Sequence, residues 1–194
     1  MAPKSKANSQ FPIPAINSTT KTPKKTHTLF ENTTKMSKPN TTKTQYWLLK
    51  TEPNSWSWDD QKSNNNISKW DGVKNHQAIK NLKSMHLNDL CFFYHSGTKS
   101  RCIVGVVTVI REWYEDEESG GGAVDVKEVG EMRRIVDLKE MKKELLGVKG
   151  FKEFGLFKQS RLSVVPVEEG VWVKICEMGN GYEGDGFNDG ECDK

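Results

Sequence analysis

The apolar positions of residues 46–178 fall into short runs that predict buried strands. Runs of this kind, rich in β-branched and aromatic side chains, are typical of strands inside a folded core. Five segments are predicted to be strands: Tyr46–Lys50, Leu90–Tyr94, Cys102–Ile110, Ala123–Val129 and Leu162–Val167. In Ala123–Val129, the prediction rests on the alternation of apolar and polar residues. Gly105 interrupts the third segment, which predicts either a β-bulge or a close approach of another group to the backbone.

Apolar residues at helical spacing predict two helices within this region. Asn75 is expected to cap the first helix. Its apolar face would be formed by Ala78, Ile79, Leu82 and Met85. Asp137, followed three residues later by Glu140, is an Asp version of the capping box and opens the second helix, which is expected to end near Gly147. Its inward positions are Leu138, Met141 and Leu145.

A third helix is predicted for Pro166–Met178, and Asp59 with Asp60 indicates the exposed side of a short additional helix. The third helix would bury Val167, Val171, Trp172, Ile175 and Cys176. Gly170 weakens this helix by about 1 kcal/mol relative to alanine. Because strands and helices do not alternate strictly, a doubly wound parallel sheet is not expected. The predicted fold class is α+β, a small mixed β-barrel or curled sheet with helices around it.

The two ends of the chain differ from the middle in composition. Residues 1–45 are rich in Thr, Ser, Asn and Lys and carry a net charge of +7, residues 46–178 are neutral, and residues 179–194 are Gly-rich with a net charge of −4. Both ends are predicted to be disordered, because they have too few apolar residues to form a core. The leader is compatible with a weak nuclear import signal at Lys21–Lys25, with a plastid or mitochondrial transit peptide, or with no specific role.

The sequence contains no recognisable catalytic, metal-binding or membrane-spanning motif. A P-loop, GxGxxG, HExxH and GxSxG are all absent, and the four cysteines form no CxxC pair. No apolar run approaches the roughly 18 residues that a membrane helix needs. His95 and Ser96 are neighbours on a predicted strand and point to opposite faces, so they cannot form a base and nucleophile pair. We therefore expect neither an enzyme nor a bound cofactor.

Several motifs together resemble one known family. The main motifs are YWLLKTEP (46–53), WDGVKNHQA (70–78), FFYHS (92–96) and QSRLSVVP (159–166). The segments IVG (103–105), EWYED (112–116) and VDVK (124–127), which lie between the last two of these motifs, match as well. In this order and spacing they are similar to the EVE domain of the thymocyte nuclear protein 1 family, over residues 46–178. The resemblance implies a PUA-like fold, a small mixed β-barrel flanked by helices and related to ASCH and YTH domains. It also implies a reader that holds a modified nucleobase, with modified cytosine in DNA as the leading ligand.

The resemblance further implies which residues form the base pocket. They are Lys50, Thr51, Trp70, Asp71, Gly72, Val73, Asn75, Tyr94, His95, Ser96, Gln159, Arg161, Leu162 and Ser163. Trp70 and Tyr94 are candidates to stack on the base, at about 1–3 kcal/mol per base. Candidates for hydrogen bonds to its edge are Thr51, Asn75, Ser96 and the backbone near Gly72. Equally open is a placement of Trp70 and Tyr94 in the core.

The remaining pocket residues have candidate roles of a different kind. Val73 or Leu162 would line an apolar niche for a methylated or hydroxymethylated carbon. Lys50 and Arg161 would hold a phosphate. The alternatives are an internal ion pair for Arg161 and a hydrogen bond within the fold for His95.

The chain departs from the family pattern at three places, and these leave rival functions open. His76 and Ile79 stand where the family usually has Tyr and Arg, the loop Glu115–Gly122 is shorter than usual, and Gly170 interrupts the last helix. The first interpretation is a monomeric reader of a modified base in DNA that has no membrane partner. A reader of modified RNA and a protein-interaction adaptor with a vestigial pocket are the alternatives.

Overall fold

The computed structural model describes residues 43–186 except Lys99 and Ser119. Nearly all of the predicted leader (1–45) and the end of the acidic tail therefore lie outside the described residues. Within the described part, strands and helices are mixed as the sequence predicts, which confirms the α+β class. No helix in this part of the chain has the length and apolar character needed to cross a membrane.

Six strands of the described residues form one sheet. They are β1 (Tyr46–Thr51), β2 (Ile67–Trp70), β3 (Leu90–Ser96), β4 (Arg101–Asp116), β5 (Gly121–Asp137) and β6 (Val164–Val167). Their order across the sheet is β2-β5-β4-β3-β1-β6. Only the β1–β3 pair is parallel. β4 and β5 form a long hairpin with several register shifts, and such irregularities bend and twist a sheet.

Five α-helices and one 3₁₀ turn accompany the sheet in the described residues. They are α1 (Trp58–Ser63), α2 (His76–Leu82), α3 (Leu138–Glu144), α4 (Gly155–Lys158) and α5 (Glu169–Met178), with the turn at Phe151–Glu153. The predicted cap of α2 is confirmed, because Asn75 Oδ1 accepts a hydrogen bond from the backbone N–H of Ala78 at 3.0 Å. The sequence patterns missed β2 and α4, which are short and have no periodicity of their own.

Two predicted helix starts need correction. The capping box of α3 does not form, because Asp137 accepts a hydrogen bond from the backbone N–H of Lys139 and the carboxylate of Glu140 pairs with Arg134 instead. The last helix begins at Glu169 and not at Pro166, because residues 166 and 167 still pair with β1 as part of β6.

Aromatic contacts fix the two faces of the sheet. On one face, Phe92 stacks on Trp172 of α5 with ring centroids 3.9 Å apart. On the other face, the next residue, Phe93, contacts Trp58 of α1 at 5.1 Å. Gly105 provides the predicted close approach, since a Cβ at this position would lie 2.4 Å from the ring of Trp58. The α1 face of the sheet therefore holds an aromatic cluster directly over the backbone of β4.

Residues 179–186, which the sequence assigns to the acidic tail, lie against β5. Tyr182 forms a β-bridge with Met132. Asp185 pairs with Arg133 at 2.7 Å, and the Asp185 side chain is almost completely buried. The ion pair and the bridge place the beginning of this segment on the sheet, so the prediction of an unstructured tail starting at residue 179 is not supported for these residues.

Candidate functional site

The candidate site lies where β1 and β3 end side by side. In this parallel pair, Lys50 lies opposite Tyr94 and Thr51 lies opposite His95. Successive side chains on a strand point to opposite faces of the sheet. Thr51 and His95 therefore share the α1 face with Phe93, whereas Lys50 and Tyr94 lie on the α5 face. The residues that the sequence groups into one pocket are divided between the two faces.

The α1 face carries three rings packed around a fourth, which we call the Phe93 cluster (Trp58, Trp70, Phe93 and His95). The ring centroids of Trp58, Trp70 and His95 lie 5.1, 5.7 and 5.7 Å from that of Phe93, and all three rings meet it edge-on. Edge-to-face contacts of this kind are a favoured aromatic geometry. The cluster is therefore well packed through its carbon atoms.

The polar atoms of this cluster are not satisfied in the same way. Within the described residues, three buried ring nitrogens have no hydrogen-bond partner: Trp58 Nε1, Trp70 Nε1 and His95 Nε2. Elsewhere in the core, Trp47 Nε1 donates to Asp89 at 2.9 Å and Trp56 Nε1 donates to Gln61 at 3.2 Å. Leaving a buried polar group unpaired costs about 1–3 kcal/mol, and native proteins rarely do so without a reason. Three such atoms on rings around one phenyl ring make this cluster a candidate position for a polar partner.

His95 is positioned to be uncharged at neutral pH. Burial lowers the pKa of its imidazole below the usual 6.5, and the carboxylate of Asp59 on α1 acts weakly in the opposite direction. A neutral imidazole has one donor and one acceptor nitrogen. Nε2 of His95 can therefore accept a hydrogen bond, which the two indole N–H groups of the cluster cannot do.

Trp70 and Tyr94 do not offer free ring faces in this structure. Trp70 is 0% exposed because it ends β2, whose pairing with β5 turns the indole into the core. Tyr94 is 2% exposed, and burial raises the pKa of its hydroxyl to about 12. Both residues lie in the core, which is the alternative placement that the sequence left open. Stacking on either ring would require the ring to move.

Lys50 lies on the α5 face and is 7% exposed. Its Nζ donates to the backbone carbonyl of Gln159 at 3.4 Å, and its backbone N–H donates to the carbonyl of Ser163 at 2.8 Å. It forms no ion pair with any carboxylate of the described residues, and burial lowers its pKa to about 8. A buried ammonium group that lacks an acidic partner is a candidate to bind an anion.

The 159–163 segment beside Lys50 has a mixed character. Gln159 and Arg161 are exposed, Leu162 is buried and Ser163 is half-buried. The two polar side chains could therefore reach a ligand from solution, while Leu162 belongs to the hydrophobic core.

Two hydroxyl groups connect the ends of the strands. Ser96 Oγ donates to the carbonyl of Thr51 at 3.0 Å, and Thr51 Oγ1 donates to the carbonyl of Trp56 at 2.9 Å. These bonds tie β3 to β1 and β1 to the segment that precedes α1. Both side chains therefore support the geometry around the Phe93 cluster.

The segment that follows Trp70 is fixed by local interactions. Asp71 is buried and lies 3.8 Å from Lys69, which also pairs with Asp116 of the β4–β5 hairpin at 3.1 Å. Gly72 has a φ of +65°, a conformation that glycine adopts without strain. Val73 is half-buried. The tip of the long β4–β5 hairpin, which contains the Glu115–Gly122 segment, is thus tied to the segment after Trp70 through Lys69.

Sequence reasoning did not identify Trp58, and the local signal for it was present. Ser57 and Asp60 form a reciprocal capping box, in which Ser57 Oγ accepts from the backbone N–H of Asp60 at 3.1 Å. The box fixes the start of α1 and with it the direction of Trp58. Among the described residues, no group of His, Cys, Asp or Glu side chains has the arrangement of a metal site.

Comparisons with known proteins agree on one family. The family model described as "EVE domain" matches residues 45–178. Thymocyte nuclear protein 1 of Mus musculus is 33% identical over 155 residues, which cover 64% of this chain and 69% of the mouse protein. The protein of the same name from Gallus gallus is also 33% identical, over 64% of each chain.

Solved structures show the same fold. The human THYN1 protein in complex with 5-methylcytosine-containing DNA has a TM-score of 0.65 and 28% identity, covering 70% of this chain and 98% of the human one. A protein from Agrobacterium tumefaciens has a TM-score of 0.64 and 34% identity, covering 72% of this chain and 95% of its own.

Proposed function

Because the chain belongs to the EVE domain family, we propose that it is a non-enzymatic reader of a modified nucleobase, with modified cytosine in DNA as the preferred ligand. The human relative whose structure contains 5-methylcytosine DNA supports this choice of ligand. The names of the curated relatives support a nuclear location for the protein. A fluorescent fusion with and without residues 1–35 would test the location against a plastid or mitochondrion.

The observation that carries the proposal is the set of three unpaired ring nitrogens in the Phe93 cluster. A base that is turned out of a helix needs aromatic surfaces around its ring and hydrogen-bond partners along its edge. The Phe93 cluster combines aromatic rings with unpaired ring nitrogens, and a base would reach them only if the closely packed rings moved apart. Binding would also recover the cost of leaving these nitrogens unpaired, which helps to offset the few kcal/mol needed to unstack a base.

Lys50 supports the nucleic-acid part of the proposal. Its buried ammonium donates to the carbonyl of Gln159 and forms no ion pair with a described residue, so a phosphate would supply the missing negative charge. Arg161 and Gln159 are exposed beside it and would contact the same backbone. Phosphate contacts position a nucleic acid and carry no sequence information. We therefore assign base recognition to the α1 face and backbone binding to the α5 face.

The test is a titration of the full chain with matched oligonucleotides. Duplex DNA, single-stranded DNA and single-stranded RNA of one sequence would each carry cytosine, 5-methylcytosine or 5-hydroxymethylcytosine at one position. We expect a modification-dependent gain in affinity that is largest for DNA and is lost in His95→Leu. Lys80→Met, at an exposed position on α2, serves as the control. Equal binding to all oligonucleotides would contradict the proposal. Binding to added partner proteins without any preference for a modified oligonucleotide would contradict it as well.

A further inference from the structure

A groove that shares no residue with the Phe93 cluster lies between α2 and the end of the β4–β5 hairpin. It encloses about 380 Å³, which is within the size range of ligand sites in proteins. Its main lining residues are Ile79 and Lys83 on the helix side and Trp113, Glu115 and Glu117 on the hairpin side. The lysine and both glutamates are exposed, whereas the other two side chains are half-buried. The groove therefore combines an apolar floor with a charged, solvent-accessible rim.

The indole ring of Trp113 forms part of this floor. The ring packs against Gly122, where an added Cβ would lie 2.2 Å from it. Lys83 Nζ lies 4.8 Å from the ring centroid, a distance at which an ammonium group is attracted to the π electrons. The ring thus already binds a cation of the protein itself. Because this ammonium group ends a flexible and exposed side chain, another cation can take its position.

The rim of the groove is negatively charged. Four acidic residues follow one another in this part of the hairpin. Lys69 pairs with Asp116 at 3.1 Å and with Glu118 at 2.9 Å, but Glu115 and Glu117 form no ion pair among the described residues. The four carboxylates and the two nearby ammonium groups leave a net charge of −2. The groove should therefore attract a cationic ligand and repel the phosphates of a nucleic acid.

The same hairpin contains an arginine bound in a comparable setting. The guanidinium of Arg111 lies 3.7 Å from the ring centroid of Tyr114 and 3.8 Å from a carboxylate oxygen of Asp125. Guanidinium groups favour this arrangement, because their plane stacks on an aromatic ring while their N–H groups point towards a carboxylate. Trp113 and Glu115 supply an aromatic ring and a carboxylate of the same kind in the groove, without a guanidinium.

We propose that the groove binds an arginine side chain from a basic segment of a partner protein, with the guanidinium stacked on Trp113 and paired with Glu115 or Glu117. The ammonium group of Lys83 would leave the ring, and the carbon chain of the arginine would lie along Ile79. Arginine should bind better than lysine, because an ammonium group has no plane to stack and no pair of parallel N–H groups. This surface is additional to the proposed nucleic-acid site, so the protein could bind a nucleic acid and a basic protein segment together.

The test uses the full chain labelled with ¹⁵N and three peptides of glycine and serine. The peptides carry three arginines, three lysines or three citrullines, and citrulline has the shape of arginine without its charge. The indole N–H resonance of Trp113 should shift with the arginine peptide, shift less with the lysine peptide and stay in place with the citrulline peptide. The resonances of Trp47 and Trp56, whose indole N–H groups already have partners in the core, should not move.

Variants of the ring and of the rim test the two contacts separately. Trp113→Leu should bind the arginine peptide about fivefold more weakly, whereas Trp113→Phe keeps a ring and should keep most of the affinity. Melting temperatures measured alongside confirm that both variants fold. The double variant Glu115→Gln with Glu117→Gln should also bind more weakly and depend less on salt. Glu144→Gln with Glu153→Gln, which removes two exposed charges elsewhere, is its control.

A gain of affinity in Lys83→Ala gives a result that a damaged fold cannot imitate. Removing this side chain frees the ring and makes the groove more negative, so the arginine peptide should bind about threefold more tightly. Lys80→Ala, at an exposed position of α2 outside the groove, is the control. Unchanged or weaker binding in Lys83→Ala would contradict the exchange of one cation for another on the ring.

The remaining outcomes identify other occupants of the groove. Equal responses to the arginine and citrulline peptides, or to the arginine and lysine peptides, would overturn the arginine assignment. A Trp113 resonance that shifts with protein concentration alone would indicate a second copy of the chain, and one that responds to an oligonucleotide but not to the arginine peptide would indicate nucleic acid. Either result would overturn the inference. Because the preference for a modified base should be unchanged in Trp113→Leu, the proposed function stands or fails independently.

Discussion

The ammonium group of Lys50 is buried, and no acidic residue of the described part pairs with it to offset the free energy lost on desolvation. Because burial lowers its pKa from 10.5 to about 8, the unfolded chain binds this proton more readily than the folded chain between those two values. The free energy of unfolding should therefore rise as the pH increases from 8 to 10.5. In Lys50→Met, this part of the pH dependence should be missing, and the melting temperature at pH 7 should be equal to or above that of wild type.

The same substitution tests the phosphate contact. Lys50→Met should weaken binding of modified and unmodified DNA by a similar factor, because a phosphate contact does not depend on the base. Filter binding or fluorescence titration at one salt concentration is sufficient, with Lys80→Met as the control. A loss confined to the modified oligonucleotide would mean that Lys50 contacts the base and not the backbone.

His95 should make both stability and base binding depend on pH in the acidic range. Its neighbours are Asp59 on α1, which favours the protonated form, and Cys102 on β4, which lies opposite it. Since the folded-state pKa lies below 6.5, stability should fall as the pH drops below about 6.5 and level off once the folded state is protonated. Binding of the modified base should weaken over the same interval, because a protonated Nε2 cannot accept a hydrogen bond.

The measurement for this prediction compares wild type with His95→Gln, which keeps hydrogen-bonding atoms and does not titrate. Thermal unfolding and oligonucleotide affinity are followed from neutral to acidic pH. The variant should not show the decrease in stability and in affinity that wild type shows below pH 6.5. Parallel curves for the two proteins would show that another group is responsible.

At the scale of elements, the sequence predicts whatever depends on neighbours along the chain. The strands around Leu48 and Val106 and the cap at Asn75 follow from local patterns, and the structure contains them. Strand β2 does not follow, because the burial of Trp70 arises from pairing with β5, more than fifty residues later. The same limit applies to the site: motif matching finds His95, but the unpaired state of its Nε2 depends on what α1 places nearby.

The cap of α2 tests whether Asn75 is a structural residue or a base contact. Asn75→Ala should lower the free energy of unfolding by about 1 kcal/mol, whereas Asn75→Ser should retain most of it because serine also caps helices. Denaturant unfolding measures both. If the side chain serves only as a cap, both variants should bind the modified oligonucleotide as wild type does. A loss of affinity in Asn75→Ser would instead support the base contact that the family resemblance implies.

At the scale of the whole molecule, charge and recognition lie in different parts of the chain. Residues 46–178 are neutral, so long-range attraction to nucleic acid must come from elsewhere, and residues 1–45 carry eight lysines. The binding residues proposed above contribute short-range contacts in the folded part. Affinity that depends on salt and selectivity that depends on the base should therefore respond to different substitutions.

Replacing the eight lysines of residues 1–45 by glutamine in the full chain tests this separation. Each lysine that neutralises a phosphate of duplex DNA contributes about 0.9 to the slope of log K against log salt concentration. The substituted protein should bind more weakly at low salt and show a shallower slope. Its preference for the modified over the unmodified base should stay the same, because the Phe93 cluster is untouched. If the preference fell together with the slope, the leader would have to take part in base recognition, and the assignment of recognition to the α1 face would be incomplete.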